Sequence, residues 1–561
     1  MTLIAPRHRA NLAVLGLAAL ALALRLYHLT FQSLWRDEVD TLLFAARPLT
    51  TVLGAFSKPG ENGPLFFLAM RPWLAVAGRS EFALRFPSAL AGALAVPVIY
   101  LLVRRLGGTR PALIAALLTA VAPYLVWYGQ EAKMYAALTV LVPLSLWLTL
   151  QAIERRGWRW WALLYVVTSL SWYTHVLAAL AVLVQAAWFV IILVFETRGA
   201  DTKKRGRFIF GARKHPERST AVVSPCAVEE PALSLSKGCD RHDRSASFDY
   251  GLRPSAQDAP LTSAPTVKRA RWLAPALYLA GLILPYLPMA WWQARLWLSP
   301  TFETGHPFVA LPDIGLVLAE AFGRGIVPGY EPISLLPFIL ALLAGAALWP
   351  AIRDTRRDWR TVALLATWLL LPPLALFGVS LGMPIFADRY LIWVMPAFLA
   401  LAALGLVGIG RVWRPLGLAT AGVILALYLA GVWQQAHAPI KADFRSAASF
   451  VAAQQRADDL LLFQIPYIRQ NYRYYSDQLA PATGRLRGID GPYTNDGLSE
   501  PAVAELMTNG IGGAAAVWLI ASEAPMWDDR GLTQAWLAAH GIVTDRAEFT
   551  RVAVTRYELR K

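Results

Sequence analysis

Long apolar runs alternate with short polar links along most of this chain. The runs lie near 11–27, 83–103, 111–128, 134–153, 158–174, 176–195, 272–293, 332–350, 361–381, 390–409 and 416–434. Each approaches the roughly 20 residues that a helix needs to cross a hydrocarbon core. The pattern predicts a mostly α protein, a polytopic membrane helix bundle of about eleven spans. Between the first two runs, the segment 28–82 is too long to be a simple link. It holds two apolar stretches, 41–56 and 64–77, and the second carries Arg71-Pro72. Short, and in the second case interrupted by a charge and a proline, they are expected to lie along the interface rather than span. Such helices would roof a lipid-facing cavity. The plainer alternative is a loop with hydrophobic anchoring.

Beyond 435 the pattern changes. Phe444–Gln454 reads as an amphipathic helix, Asp459-Leu-Leu-Leu-Phe-Gln464 and Ala514–Ala521 as short buried strands, 534–540 as a helix, and 549–559 as an alternating edge strand. The expected division is a membrane domain over 1–435 and a small α/β domain over 436–561. A third region, 197–270, is Arg-, Ser- and Pro-rich without sustained periodicity, and is expected to be a disordered cytoplasmic insert.

Charge sets the orientation. Alternate links carry the basic residues: Arg7/Arg9, Arg104/Arg105/Arg110, Arg155/Arg156/Arg159, the insert, Arg353/Arg356/Arg357/Arg360 and Arg411/Arg414. Cytoplasmic links are enriched in Lys and Arg, so these face inward. The N-terminus then lies in the cytoplasm. The segment 28–82 (first outer loop) and the C-terminal domain lie outside, in a bacterial-type plasma membrane. The run after Arg7 and Arg9 has no convincing small-residue cleavage site after it, and reads as a retained signal anchor.

Composition agrees. The 561 residues are 56% hydrophobic and 16% charged, with mean hydropathy +0.43, too apolar for a soluble protein. The net charge of +16 sits in the links and the insert, which points to membrane lipids and away from nucleic acid. Both cysteines, Cys226 and Cys239, lie in the insert, so no disulfide framework is implied.

The chemistry concentrates in Ser33-Leu34-Trp35-Arg36-Asp37-Glu38-Val39-Asp40-Thr41, directly after the first run. Ionised groups beside hydrocarbon are costly unless solvated, paired or metal-bound, so Asp37, Glu38 and Asp40 form a candidate site. The other reading is an acidic first turn of a surface helix capped by Ser33.

These residues resemble the Asp-Glu motif in the first outer loop of glycosyltransferase superfamily C, family-39-like group. That group includes protein O-mannosyltransferases and the lipid A aminoarabinose transferase. The likeness continues through Asn62-Gly63-Pro64-Leu65-Phe66-Phe67 and the stretch from Ser80-Glu81 through Arg85-Phe86-Pro87 to Gly92. It goes on in Trp127-Tyr128-Gly129-Gln130-Glu131-Ala132-Lys133-Met134-Tyr135, in Tyr173-Thr174-His175 and in Asp388-Arg389-Tyr390-Leu391. Many relatives have His-Pro-Pro where this chain has Asn62-Gly63-Pro64, so a role for that histidine does not carry over.

The resemblance implies transfer of a sugar from a polyprenyl-phosphate carrier to an acceptor (lipid, glycan or protein) on the outer face, with inversion. An acceptor hydroxyl needs a base, for which Asp37 is the candidate, with Glu38 tuning or orienting it. The leaving lipid phosphate needs fixed cations, for which Arg85, Lys133 and Arg389 are candidates. Glu131 is a candidate ligand for a divalent metal or contact for the acceptor. His175, Tyr128, Tyr135 and Tyr390 are candidate substrate contacts. Each cation could instead snorkel to headgroups, and His175 could be a satisfied interfacial side chain. A phosphate acceptor would need no base. The alternatives are a transporter or flippase of lipid-linked sugars, and a receptor or scaffold with an inactive membrane part. Transporters tend to show internal repeats and mid-membrane polar groups; here no repeat is evident and the charges collect at one face.

Overall fold

The computed structural model describes residues 6–54, 63–155, 157–209, 264–299, 304–326, 335–347 and 356–560. Contacts divide the chain into two units, Met1–Ile192 with Leu277–Lys561, and Leu193–Ala276. The second unit holds the distal part of the helix Leu180–Ile209 and the first turns of the helix Ala264–Gly281. Most of the expected insert, 210–263, lies outside the described residues.

The chain is a multi-pass membrane protein. Among the described residues, eight helices are long and apolar enough to span, and a ninth span arises if one bent pair is counted. The remaining runs give the 17-residue helix Trp158–Thr174 and the 11-residue helix Leu336–Ala346. The span Asp388–Val412 is the most enclosed, with 78% of its apolar window buried, against 17% for the first span. The enclosed helix therefore sits at the centre of the bundle, and it brings Asp388, Arg389 and Tyr390 in at its first turn.

The bent pair is Thr109–Val121 and Pro123–Gly129, broken by 55°. Pro123 supplies no N–H, so the helical ladder is cut there. The fully buried Arg25 straddles the break, donating to Ala120 O at 3.1 Å before it and to Leu125 O at 3.3 Å after it. Glycines make room for it: a Cβ at Gly92 would lie 2.3 Å from Arg25 Nε, and one at Gly129 2.7 Å. The break ends the span early and delivers the turn 130–134 to the same end of the bundle as Asp37.

The first loop holds the helices Arg36–Ala46, Leu49–Gly54 and Leu65–Ala77, the last with Pro72 inside it. Arg71 ties two of them together by donating to Ala45 O at 3.2 Å.

The C-terminal part carries a five-stranded sheet ordered β2-β1-β3-β5-β4. Its strands are β1 Asp459–Phe463, β2 Arg487–Asp490, β3 Ala516–Ala521, β4 Gly541–Phe549 and β5 Val552–Leu559. β1 pairs parallel with β2 and β3; β5 pairs antiparallel with β3 and β4. The expected edge strand 549–559 is instead mostly the inner strand β5, with Phe549 closing β4. Most of β5 is buried between two neighbours, and the largely exposed β4 forms the edge.

This part is laced to the first loop. Leu34 N–H donates to Tyr475 Oη at 2.6 Å, and Tyr475 in turn donates to Glu81 Oε1 at 2.5 Å. Ser33 Oγ donates to Asp443 Oδ1 at 2.8 Å, and Asn471 Nδ2 to Leu34 O at 3.2 Å. Ser33 is thus used across the loop rather than as a helix cap.

Candidate active site

The acidic motif opens the helix Arg36–Ala46, with Trp35 at its N-cap and Asp37 and Glu38 in its first turn. Carboxylates are favoured there by the helix dipole. One helical turn then separates three fates. Glu38 points inward and is fully buried; Asp40 points out, 3.8 Å from Arg36; Asp37 lies between, with 26% of its side chain exposed.

Glu38 is the hub of a buried charge network. Arg85 grips it with two bonds of 2.7 Å, Nε to Oε1 and Nη2 to Oε2. Ala132 N–H donates to Oε1 at 3.0 Å, and Lys441 Nζ to Oε2 at 3.0 Å. Burial alone would raise the Glu38 carboxyl; the charges of Arg85 and Lys441 overcome this and hold it well below the usual carboxylate range.

Arg85 is placed otherwise than expected. Its remaining N–H groups go to Leu29 O at 2.8 Å, Gln32 O at 2.9 Å and Ser33 O at 3.2 Å. All five donors are occupied and the side chain is 1% exposed. A guanidinium with no free donor cannot grip a phosphate. Its work is to fold the first loop around Glu38.

Glu131, in the turn after the broken span, is 3% exposed. Its Oε1 lies 3.2 Å from Lys441 Nζ, and its Oε2 has no hydrogen-bond partner among the described residues. Burial pushes its carboxyl up, against the ammonium of Lys441 and with the charge of Glu38 adding to the rise. Among the described residues no group of three or more His, Cys, Asp or Glu side chains could hold a metal ion.

The other cations are differently disposed. Lys133 Nζ makes a loose ion pair with Asp37 at 3.9 Å. Its backbone is fixed by the Lys133 N–H bond to Glu131 O at 2.7 Å and by Ser88 Oγ donating to Lys133 O at 3.1 Å. Arg389 donates from Nε to Tyr135 Oη at 3.1 Å, and its guanidinium lies 5.6 Å from the Tyr390 ring centre. Asp388 anchors this turn by accepting from Tyr124 Oη at 2.9 Å.

Aromatic rings wall the same space. Tyr128 meets Tyr135 edge-on at 5.4 Å, and the His175 ring is 5.0 Å from Tyr390 and 6.2 Å from Tyr135. His175 Nδ1 accepts from Leu177 N–H at 3.2 Å, so the proton of a neutral ring sits on Nε2. Burial, then the charges of Lys133 and Arg389, hold this histidine down to about 3, which keeps the ring neutral. Its Nε2 has no partner among the described residues.

The structure therefore brings Asp37, Glu131, Lys133, His175, Tyr128, Tyr135, Arg389 and Tyr390 to one place, and sets Arg85 behind it. Sequence reasoning missed Lys441, Arg25, Tyr124 and His306, whose Nε2 lies 3.4 Å from Tyr390 Oη. The residue itself could have been noted, as a lysine just after the last apolar run, but not its partners.

Residues 57–210 match the family model of dolichyl-phosphate-mannose-protein mannosyltransferases. No curated protein matches the chain in sequence. Solved structures do match in fold. ArnT from Cupriavidus metallidurans in the apo state is 12% identical, with 97% of each chain covered and a TM-score of 0.50. The archaeal oligosaccharyltransferase AglB from Archaeoglobus fulgidus, in complex with an inhibitory peptide and a dolichol-phosphate, is 12% identical; 98% of this chain and 74% of that one are covered, with a TM-score of 0.50. The Archaeoglobus fulgidus oligosaccharyltransferase in complex with Zn and sulfate is 13% identical, covering 97% and 72%, with a TM-score of 0.51.

Proposed function

We propose that this multi-pass membrane protein, whose fold is that of the superfamily C glycosyltransferases, moves a sugar from a polyprenyl-phosphate carrier to an acceptor hydroxyl on the outer membrane face. The observation that carries the proposal is the ion pair of one partly open carboxylate, Asp37, with Lys133, beside an aromatic wall in which Tyr135 and Tyr390 hold a second cation, Arg389. A family match over 57–210 and a fold shared with a dolichol-phosphate-bound oligosaccharyltransferase support it.

In this reading the acceptor O–H gives its proton to Asp37. The acceptor oxygen attacks the anomeric carbon, the bond from that carbon to the phosphate oxygen breaks, and the polyprenyl phosphate leaves with the electron pair. Attack opposite the leaving group inverts the anomeric configuration. Charge developing on the phosphate is met by the Lys133 ammonium and by the donors of Arg389 beyond Nε. Tyr135 and Tyr390 hold Arg389, and His175 offers Nε2–H to the same space. Tyr128 backs Tyr135. The alternation of basic links supports an outward-facing site, with the N-terminus in the cytoplasm.

The testing experiment incubates the purified chain in liposomes with synthetic polyprenyl-phosphate sugars and a panel of acceptors: lipid, glycan and peptide. Transfer with inversion is expected for at least one pair. Specific uptake or flipping of the carrier without transfer would favour the transporter reading instead.

A further inference from the structure

Lys441 lies between the last span, Arg414–His437, and the helix Phe444–Gln454. Its ammonium sits 3.0 Å from Glu38 Oε2 and 3.2 Å from Glu131 Oε1, and the residue is 9% exposed. The indole rings of Trp127 and Trp35 flank it at 5.2 and 5.8 Å. Two buried carboxylates from distant segments facing one point, with one oxygen (Glu131 Oε2) unpartnered, form the kind of acid pair that a divalent cation bridges. Here a side-chain cation stands at that point. The main chain fixes it there: the N–H groups of Ile440 and Lys441 both donate to Gln32 Oε1 at 3.1 Å, and Gln32 Nε2 donates to Ala438 O at 2.7 Å.

We infer that Lys441 is a resident counter-ion that closes the Glu38–Glu131 acid pair to divalent metals and positions Glu131 for the transfer reaction. Two arginine–lysine charges, Arg85 and Lys441, balance the two carboxylates without an added ion. A divalent cation entering beside the ammonium would meet like-charge repulsion at contact distance and only one free carboxylate oxygen. The ammonium is also a charge that the segment after the last span sends into the site. That makes the C-terminal part a contributor to the catalytic end rather than an appendage. Positioning of Glu131 rests on the transfer reading; exclusion of the metal does not.

The experiment titrates Mn2+ into the purified full chain in detergent, read by electron paramagnetic resonance of free Mn2+, and in parallel measures transfer in liposomes with and without a chelator. Wild type should bind no Mn2+ at this acid pair up to millimolar concentration, and chelation should leave transfer unchanged. Lys441→Ala should gain one saturable Mn2+ site that Glu131→Gln, added to it, abolishes. Its transfer should fall by about a hundredfold and recover about tenfold with Mn2+, as expected when a metal replaces a fixed charge. Lys441→Arg keeps the charge and should still exclude Mn2+, which serves if the alanine variant fails to fold. A wild-type Mn2+ site lost in Glu131→Gln would overturn the inference, as would a well-folded Lys441→Ala that gains none. A wild type that transfers nothing, yet excludes Mn2+ as described, would defeat the transfer reading and leave the exclusion standing.

Discussion

Replacing Arg85 separates a structural arginine from a phosphate-binding one. Arg85→Ala removes two charge-assisted bonds to Glu38 and strands three backbone carbonyls, those of Leu29, Gln32 and Ser33. Glu38 keeps Lys441 and the Ala132 N–H, so it is not left wholly unpaired. Breaking a buried pair from one side typically costs about 3–5 kcal/mol, and the stranded carbonyls push this site toward the upper end. That is a large share of a typical net stability of about 5–15 kcal/mol. Arg85→Lys retains the charge but offers three donors on one atom, so it loses the two-pronged grip and should be intermediate. The assay is thermal inactivation in detergent, with polyprenyl-phosphate affinity measured on the folded fraction. Arg85→Ala should inactivate at a markedly lower temperature, Arg85→Lys at a moderately lower one, and folded Arg85→Lys should bind the carrier like wild type. An Arg85→Lys protein of unchanged stability that binds the carrier tenfold more weakly would refute the reasoning and return Arg85 to the phosphate.

Lys133→Ala and Arg389→Ala should each weaken polyprenyl-phosphate binding by about tenfold or more while the protein stays folded, the loss expected for one charge-assisted contact; flotation with carrier-containing liposomes measures it. The Glu38 carboxyl is depressed on folding, so its ionic contribution is complete above its unfolded value, about 4.3. It is lost as pH falls toward its folded value of about 2, so the stability gap between wild type and Glu38→Gln should narrow below pH ~4.3 and be flat above it. The topology is checked in a Cys226→Ala, Cys239→Ala background: an impermeant thiol reagent on intact cells should label Thr30→Cys and Asp496→Cys but not Arg110→Cys, and the reverse would put the acidic loop on the wrong side.

The helices were legible because apolar runs carry their own signal. All eleven runs became helices; those at 158–174 and 332–350 gave elements too short by length alone to count as spans. The site was legible as a list of residues, since ionised groups beside apolar runs stand out, but not as a set of partnerships. Nothing local tells whether Arg85 faces lipid or a carboxylate 47 positions away. The Lys441 bond to Glu38 spans 403 positions, so a reading confined to neighbouring motifs could not find it. In the sheet, alternation in 549–559 suggested one open face, whereas most of β5 is buried between β3 and β4. The edge is a neighbouring strand whose polar residues gave no strand signal.

The measurement that bears most directly on the proposed chemistry is the single-turnover rate of Asp37→Asn with a synthetic polyprenyl-phosphate sugar. The substitution keeps the size of the side chain and removes the base that faces Lys133 at 3.9 Å. A positioned general base contributes roughly 10²–10⁴ in rate, so turnover should fall by that order while carrier binding persists. Asp40→Asn, on the exposed side of the same helix turn, should lose little. An Asp37→Asn protein that transfers sugar at the wild-type rate would contradict the account and pass the role of base to another carboxylate, Glu131 first, or to a phosphate acceptor that needs none.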